Sequence, residues 1–297
     1  MPLYETPASF DRALKKAVRE TGSDPGATYR QALRDRFLCR IFADEDERFV
    51  LKGASGMLAR IPDARNTKDL DFAARKAESK EEVLDALENL LSANLGDWCR
   101  FKLTSCEEAV DDNGYSRLLR LRYATFIGET EKDPILIDLS LDCEITKPPD
   151  RLDPLNRIPV DGVDTCPYLL YPLEDQMADK LCAIMEQRPD GRPSSRMKDL
   201  ADVIVYACNE RFELRALSHS IACECERREM DVPDVFAAPA EWEARFEGFA
   251  KKNGVPAKHC SFDAACALAS RFFNPVFDAG GTAPMLVWSP ATLEWIE

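Results

Sequence analysis

The sequence predicts an α+β protein, with a mixed α/β N-terminal half and a mainly α-helical C-terminal half. Three observations carry this. Short runs with the alternation of strands cluster between residues 48 and 142. Helical spacing dominates from residue 173 onward. Between them, residues 147–172 are rich in proline and aspartate and read as a linker. The expected division is 1–165, a sheet domain with N-terminal helices, and 166–297, a helical lobe.

Taken in order, 8–21 and 28–43 have helical spacing. Residues 48–53 (RFVLKG) form an apolar run closed by glycine, a buried strand and a turn. A short helix fits 54–61, and 69–73 (DLDFA) reads as a second strand. Residues 80–95 form an amphipathic helix. Strand alternation recurs at 100–106, 116–127 and 134–142, and Asp112-Asn113-Gly114 marks a hairpin turn. Helices are expected at 173–187, 195–209, 211–229, 240–252 and 261–272.

Composition narrows the class. The chain has 297 residues, 45% hydrophobic and 31% charged, which is globular. No apolar run is long enough to span a bilayer. The start, MPLYETPASFDRALKK, has no apolar core after a basic end, so no secretory signal is expected and the expected compartment is the cytoplasm. The net charge of −14 argues against a generic basic nucleic-acid binder. Its distribution weakens that argument. Residues 1–40 hold 8 Lys/Arg against 5 Asp/Glu, 52–76 hold 6 against 3, and 188–198 hold 4 against 1. Local surfaces can therefore still attract a polyanion.

The 11 cysteines are scattered, odd in number and lack a CxxC pair. They read as buried reduced thiols rather than a disulfide or zinc framework. Cys223-x-Cys225 lacks further ligands for zinc. His219 and His259 lie far from the densest polar motifs, which leaves little support for a His-centred hydrolase.

The chemistry concentrates in Leu51-Lys52-Gly53-Ala54-Ser55 and Arg65-Asn66-Thr67-Lys68-Asp69-Leu70-Asp71. On a strand, Asp69 and Asp71 share a face about 6.5–7 Å apart, with Leu70 turned to the core. Two such carboxylates can converge on Mg²⁺, which takes hard oxygen ligands and substrate phosphates. The plainer alternative is a solvated strand edge. Gly53 closes a strand before a helix, where backbone N–H groups suit phosphate oxygens. Ser55 adds a hydroxyl there, and Thr67 is two residues before Asp69. In 135–142 (ILIDLSLD) one face is Ile135, Ile137, Leu139 and Leu141, and the other Leu136, Asp138, Ser140 and Asp142. Asp138 is then either a third ligand and general base, or part of a face shown to water.

These residues resemble the polymerase-β-like nucleotidyltransferase superfamily: a strand ending in glycine and a small residue, a D-x-D strand, then a third acidic strand. LKG-A-S…R-x-T-x-D-L-D, followed by A-D-K-L-x-A (178–183) and R-x-K-D-L-x-D (196–202), is similar to the AbiEii/MenT group of toxins of toxin–antitoxin and phage-defence systems. The resemblance spans about residues 48–205. Ala54 follows the glycine where many relatives have Gly or Ser, and the spacing to Asp69 suits this branch rather than the wider superfamily.

The resemblance implies a polymerase-β-like mixed sheet and Mg²⁺-dependent transfer of a nucleotide from an NTP. The implied acceptor is an RNA, with the 3′ end of tRNA in view, and the implied result is growth arrest. It also implies a cognate antitoxin. Catalytic roles fall to Asp69, Asp71, Lys180 and Asp199, metal binding to Asp69, Asp71 and Asp138, and nucleotide binding to Lys52, Gly53, Ser55, Thr67 and Arg196. In 173–185 the stripe Leu173, Met177, Leu181 and Ile184 leaves Lys180 at its edge, where it needs an anion or a route to water. A phosphate, pairing with Asp199, or snorkelling all meet that need. Arg196 and Lys198 either reach phosphates or are solvated, and Asp202 is read as surface. The basic segments 1–40 and 188–198 are the candidate acceptor contacts. A small-molecule acceptor such as an aminoglycoside, a protein hydroxyl, and an inactive nucleotide-binding module remain open alternatives.

Overall fold

In the computed structural model, polar caps start the N-terminal helices. The described residues are 4–43, 47–61, 64–65, 67–75, 79–110, 117–141, 143–187, 191–279 and 285–297. Helix α1 (Pro7–Glu20) opens on Thr6, which with Ser9 forms a capping box. Helix α2 (Pro25–Phe42) opens on Asp24, whose carboxylate accepts from the Ala27 N–H at 2.6 Å. By contact, the chain divides into two compact units. The first comprises Met1–Pro62, Thr67–Glu144 and Pro149–Tyr171, and the second Asp63–Asn66, Ile145–Pro148 and Pro172–Glu297.

The first unit is built on a seven-stranded mixed sheet. Its strands are β1 (Phe49–Lys52), β2 (Leu70–Ala74), β3 (Cys99–Val110), β4 (Arg117–Ile127), β5 (Thr130–Ser140), β6 (Asp150–Leu152) and β7 (Tyr168–Leu170), in the order β3-β4-β5-β2-β1-β7-β6. Pairing is parallel for β2–β5 and β1–β7 and antiparallel elsewhere. Two helices cover the apolar face. Phe37, Leu38 and Ile41 of α2, with Val83, Leu87 and Leu91 of α4 (Lys80–Leu91), share one core with Phe72, Leu119, Leu121, Ile137 and Leu139. Helix α3 (Gly53–Arg60) follows β1 directly.

Two departures from expectation have local causes. The 147–172 segment is not only a linker, because it supplies β6 and β7. Tyr168, Leu169 and Leu170 are all buried, so they show no alternation, and prolines flank the run at 167 and 172. Strand β5 begins at Thr130, earlier than expected, after Gly128 (φ +59°) turns the β4–β5 hairpin. Pro134 falls where the β4–β5 register shifts between Tyr123 and Thr125, so it breaks no regular ladder. The expected hairpin turn at 112–114 lies outside the described residues, but β3 and β4 pair antiparallel up to Val110 and Arg117.

The second unit packs α5 (Leu173–Met185), α6 (Met197–Asn209), α7 (Leu214–Arg227), α8 (Glu243–Ala250) and α9 (Phe262–Phe277). It also holds a small sheet the sequence did not suggest, β10-β9-β8, from β8 (Phe212–Glu213), β9 (Val287–Ser289) and β10 (Glu294–Ile296). Strands this short carry no readable period. Trp288 anchors the sheet against Phe272 of α9, ring centroids 4.8 Å apart, and donates to the Ala207 carbonyl at 2.7 Å. Among the described residues, no helix is long and apolar enough to cross a membrane. All eleven cysteines are free thiols; Cys39, Cys182, Cys225 and Cys260 are buried, and Cys223 is exposed.

Candidate active site

A single row crosses the first unit's sheet. Asp71 of β2 is the register partner of Lys52 on β1 and of Asp138 on β5, and Asp138 is the partner of Arg120 on β4. Register partners lie on the same face of neighbouring strands about 4.8 Å apart. Lys52, Asp71, Asp138 and Arg120 therefore line up on the face opposite the α2–α4 core. Asp71 and Asp138 are half-buried, so water or a ligand reaches both. The Arg120 Nε lies 3.9 Å from Asp138 Oδ1.

Gly53 is required at the head of this row. Its φ is +60°, a conformation L side chains rarely adopt, and an added Cβ would stand 2.2 Å from Asp71 Oδ2. The backbone thus lies directly against the carboxylate at the start of α3, where the N-cap residue, Lys52, makes no side-chain cap.

Asp69 precedes β2 and is half-buried. The Ser55 hydroxyl donates to the Asp69 carbonyl at 3.1 Å, and the Thr67 hydroxyl to the same oxygen at 3.2 Å. Both hydroxyls hold the backbone that enters β2. Arg34 of α2, which sequence reasoning missed, adds to this clamp by donating to the carbonyls of Thr67, at 2.8 Å, and Lys68. Desolvation lowers the Arg34 pKa, against the opposing pull of Asp69. Among the described residues, no group of three or more His, Cys, Asp or Glu forms a metal cage. Paired carboxylates nonetheless suit Mg²⁺, which is usually held by one or two carboxylates together with substrate phosphates.

The second unit holds a buried chain of charges. Lys180 on α5 donates to Asp199 Oδ1 at 3.0 Å and to Asp202 Oδ2 at 2.7 Å, both on α6. Arg65 grips Asp202 with two hydrogen bonds, at 2.8 and 3.0 Å, and Arg196 donates to Asp199 Oδ2 at 2.7 Å. The need of Lys180 for an anion is thus met by two aspartates. Burial works against the Lys180 charge, but Asp202 and Asp199 outweigh it and raise the pKa. For Asp199, burial is again opposed and outweighed, chiefly by Lys180 and Arg196, and its pKa falls to about 2.

Asp202 corrects the surface expectation: it is 1% exposed. Helix α6 is buried on nearly every side from Asp199 to Ala207, so it has no polar face for Asp202 to join. Arg65 and Asp202 both stand inside the quoted motifs, and that was the available signal.

The basic surplus of residues 1–40 is divided: Arg12, Lys15, Lys16, Arg19 and Arg30 are exposed, whereas Arg34, Arg36 and Arg40 are engaged inside the fold. Arg36 and Arg40 are buried on Asp97, at 2.7 and 2.6 Å, and Lys15 pairs with Asp11 at 2.8 Å. Of 188–198, residues 188–190 lie outside the described residues, Arg192 and Lys198 are exposed, and Arg196 is engaged by Asp199.

The sequence matches the family model for the nucleotidyl transferase AbiEii toxin of type IV toxin–antitoxin systems over residues 36–268. The chain belongs to the AbiEii family. It is a nucleotidyltransferase of the toxin–antitoxin class, with an NTP as substrate and an antitoxin as partner. Its α+β fold is similar to that of MenT4, a nucleotidyltransferase toxin from Mycobacterium tuberculosis H37Rv, at 16% identity and TM-score 0.53, covering 94% of this chain and 91% of that one. JHP933 from Helicobacter pylori also matches, at 18% identity and TM-score 0.36, over 74% of this chain and 75% of that one. Compared by sequence, the chain matches no curated protein.

Proposed function

We propose that this AbiEii-family enzyme is a Mg²⁺-dependent toxin that moves a nucleoside monophosphate from an NTP to an RNA, at the 3′ end of tRNA, and so arrests growth. The carrying observation is the register of Asp71 with Asp138 beside Gly53, where no side chain fits. Asp69, Asp71 and Asp138 would hold the ion, which when bound neutralises triphosphate charge. The N–H groups of the first turn of α3 and the Lys52 ammonium receive phosphate oxygens. Ser55 and Thr67 serve this subsite through the Asp69 backbone they hold.

Asp138 accepts the proton of the attacking hydroxyl. The hydroxyl oxygen forms the new bond to the α-phosphorus, and the bond to pyrophosphate breaks opposite it. Lys180, Asp199 and Arg196 are assigned to the same reaction on the family motif alone. A cytoplasmic toxin acting in phage defence, neutralised by a cognate antitoxin, is the setting the family supports.

The test is label transfer from each NTP to total RNA, with the native chain and Asp69→Ala. The reading expects RNA labelling that the variant loses. Labelling of an aminoglycoside or a protein instead would replace the RNA acceptor, and failure to bind Mg–NTP would leave a nucleotidyltransferase fold without its activity.

A further inference from the structure

The nucleotide end of the Lys52–Asp71–Asp138 row is fixed by Gly53 and α3, on the β1 side. An in-line attack requires the acceptor to arrive from the side opposite the leaving pyrophosphate. On this sheet that side is β4 and β3, which lie beyond β5 and end at the sheet edge.

The register shows what those strands present there. Arg120 and Arg122 of β4 share the Asp138 face, opposite Glu107 and Ser105 of β3. Past the bulge between Leu103 and Ser105, Lys102 faces Ala124 and Arg100 faces Phe126 on that same side. Arg100, Lys102, Arg120 and Arg122 are all exposed. The other face of these strands carries Phe101, Leu119, Leu121 and Tyr123 into the core. Lys102 and Arg122 make no ion pair among the described residues. Among the described residues, the acidic neighbours are Glu107 and Asp138 on either side of Arg120, Glu131 opposite Phe126, and Glu129 at 3.6 Å from Arg100. The Arg100 guanidinium stacks over the Phe126 ring at 4.5 Å, a flat cationic surface suited to an unpaired base.

We propose that the exposed face of β4 and β3, through Lys102, Arg122, Arg120 and the Arg100–Phe126 stack, is the track on which the acceptor's single-stranded RNA end reaches Asp138. The proposal rests on the nucleotidyl-transfer reading above and adds the acceptor's path. A chain of net charge −14 repels a polyanion except where cations are exposed together, and here they adjoin the carboxylate row. In residues 1–40 the exposed cations, Arg12, Lys15, Lys16, Arg19 and Arg30, sit on α1 and α2 rather than on the strands beside Asp138.

The test uses the full chain, total tRNA as the probe, and the double variant Lys102→Glu/Arg122→Glu. Lys251→Glu, an exposed site on the second unit, makes a single charge reversal as control. RNA binding is read by anisotropy across a salt series, and transfer by the KM for RNA and for NTP. The double variant should bind RNA about tenfold more weakly, with a salt slope shallower by about 1.4. Its KM for RNA should rise while its KM for NTP and its melting temperature hold, and Lys251→Glu should match the native chain. Equal RNA affinity and KM in the double variant and the native chain would overturn the track and leave nucleotidyl transfer to RNA standing. A native chain that binds Mg–NTP but labels only a protein or a small molecule would overturn the RNA track together with the RNA acceptor.

Discussion

Two pairs of aspartates, one on the sheet of the first unit and one on the helices of the second, are used in opposite ways. On the sheet, Asp71 and Asp138 are half-buried, and Asp71 stands against the Gly53 backbone, too close for any side chain there. On the helices, Asp199 and Asp202 are 3% and 1% exposed and fully engaged by Lys180, Arg65 and Arg196. Carboxylates of the first kind are available to a ligand. Those of the second kind fix the positions of their cationic partners, because a buried charge that loses its partner is strongly destabilising. The contrast separates groups open to a ligand from groups whose first role is to hold one another.

Breaking the helical set should give the largest effect on folding. Lys180→Met leaves two buried carboxylates with only the arginines, and should cost about 3–5 kcal/mol by chemical denaturation. A loss under 1 kcal/mol would show that water reaches this chain and would erase the contrast.

Acid sharpens the same comparison. The folded pKa of Asp199, about 2, lies below its ordinary value of 3.8, so the stability it contributes is complete above 3.8 and disappears as pH falls toward 2. That limb should amount to about 2 kcal/mol and should vanish in Asp199→Asn. Lys180 acts at the other end: its raised pKa keeps its contribution intact below 10.5, and that contribution falls away as pH climbs from there through the raised value. A stability profile unchanged by Asp199→Asn between pH 4 and 2 would contradict the assignment.

The smallest effect belongs to the backbone clamp. Ser55→Ala removes one of two hydroxyls on the Asp69 carbonyl and should cost about 1 kcal/mol in thermal unfolding. A loss several times larger would place Ser55 in the core's support rather than in the local clamp.

Much of the fold was legible because one-sided strands and amphipathic helices carry a period. Strands β3, β4 and β5 each have a core face, and α4 keeps Val83, Leu87 and Leu91 on one stripe. Strand β7 was hidden because both of its faces are covered, and β8 to β10 because two or three residues show no period. The faces of Asp71 and Asp138 could be read one strand at a time, but their register is a long-range pairing that no local pattern encodes. Asp202 was misread because a charge on a helix normally marks the wet side. Only its partners on other segments, Lys180 and Arg65, make its burial intelligible.

The central claim is that Asp71 and Asp138 together receive the metal-bound triphosphate. The most direct test is Mn²⁺ binding, read by electron paramagnetic resonance with a non-hydrolysable NTP, in the native chain, Asp71→Asn and Asp138→Asn. The account predicts one Mn²⁺–NTP site in the native chain, weakened about 100-fold in each variant at unchanged melting temperature. Binding of native strength in both variants would contradict it.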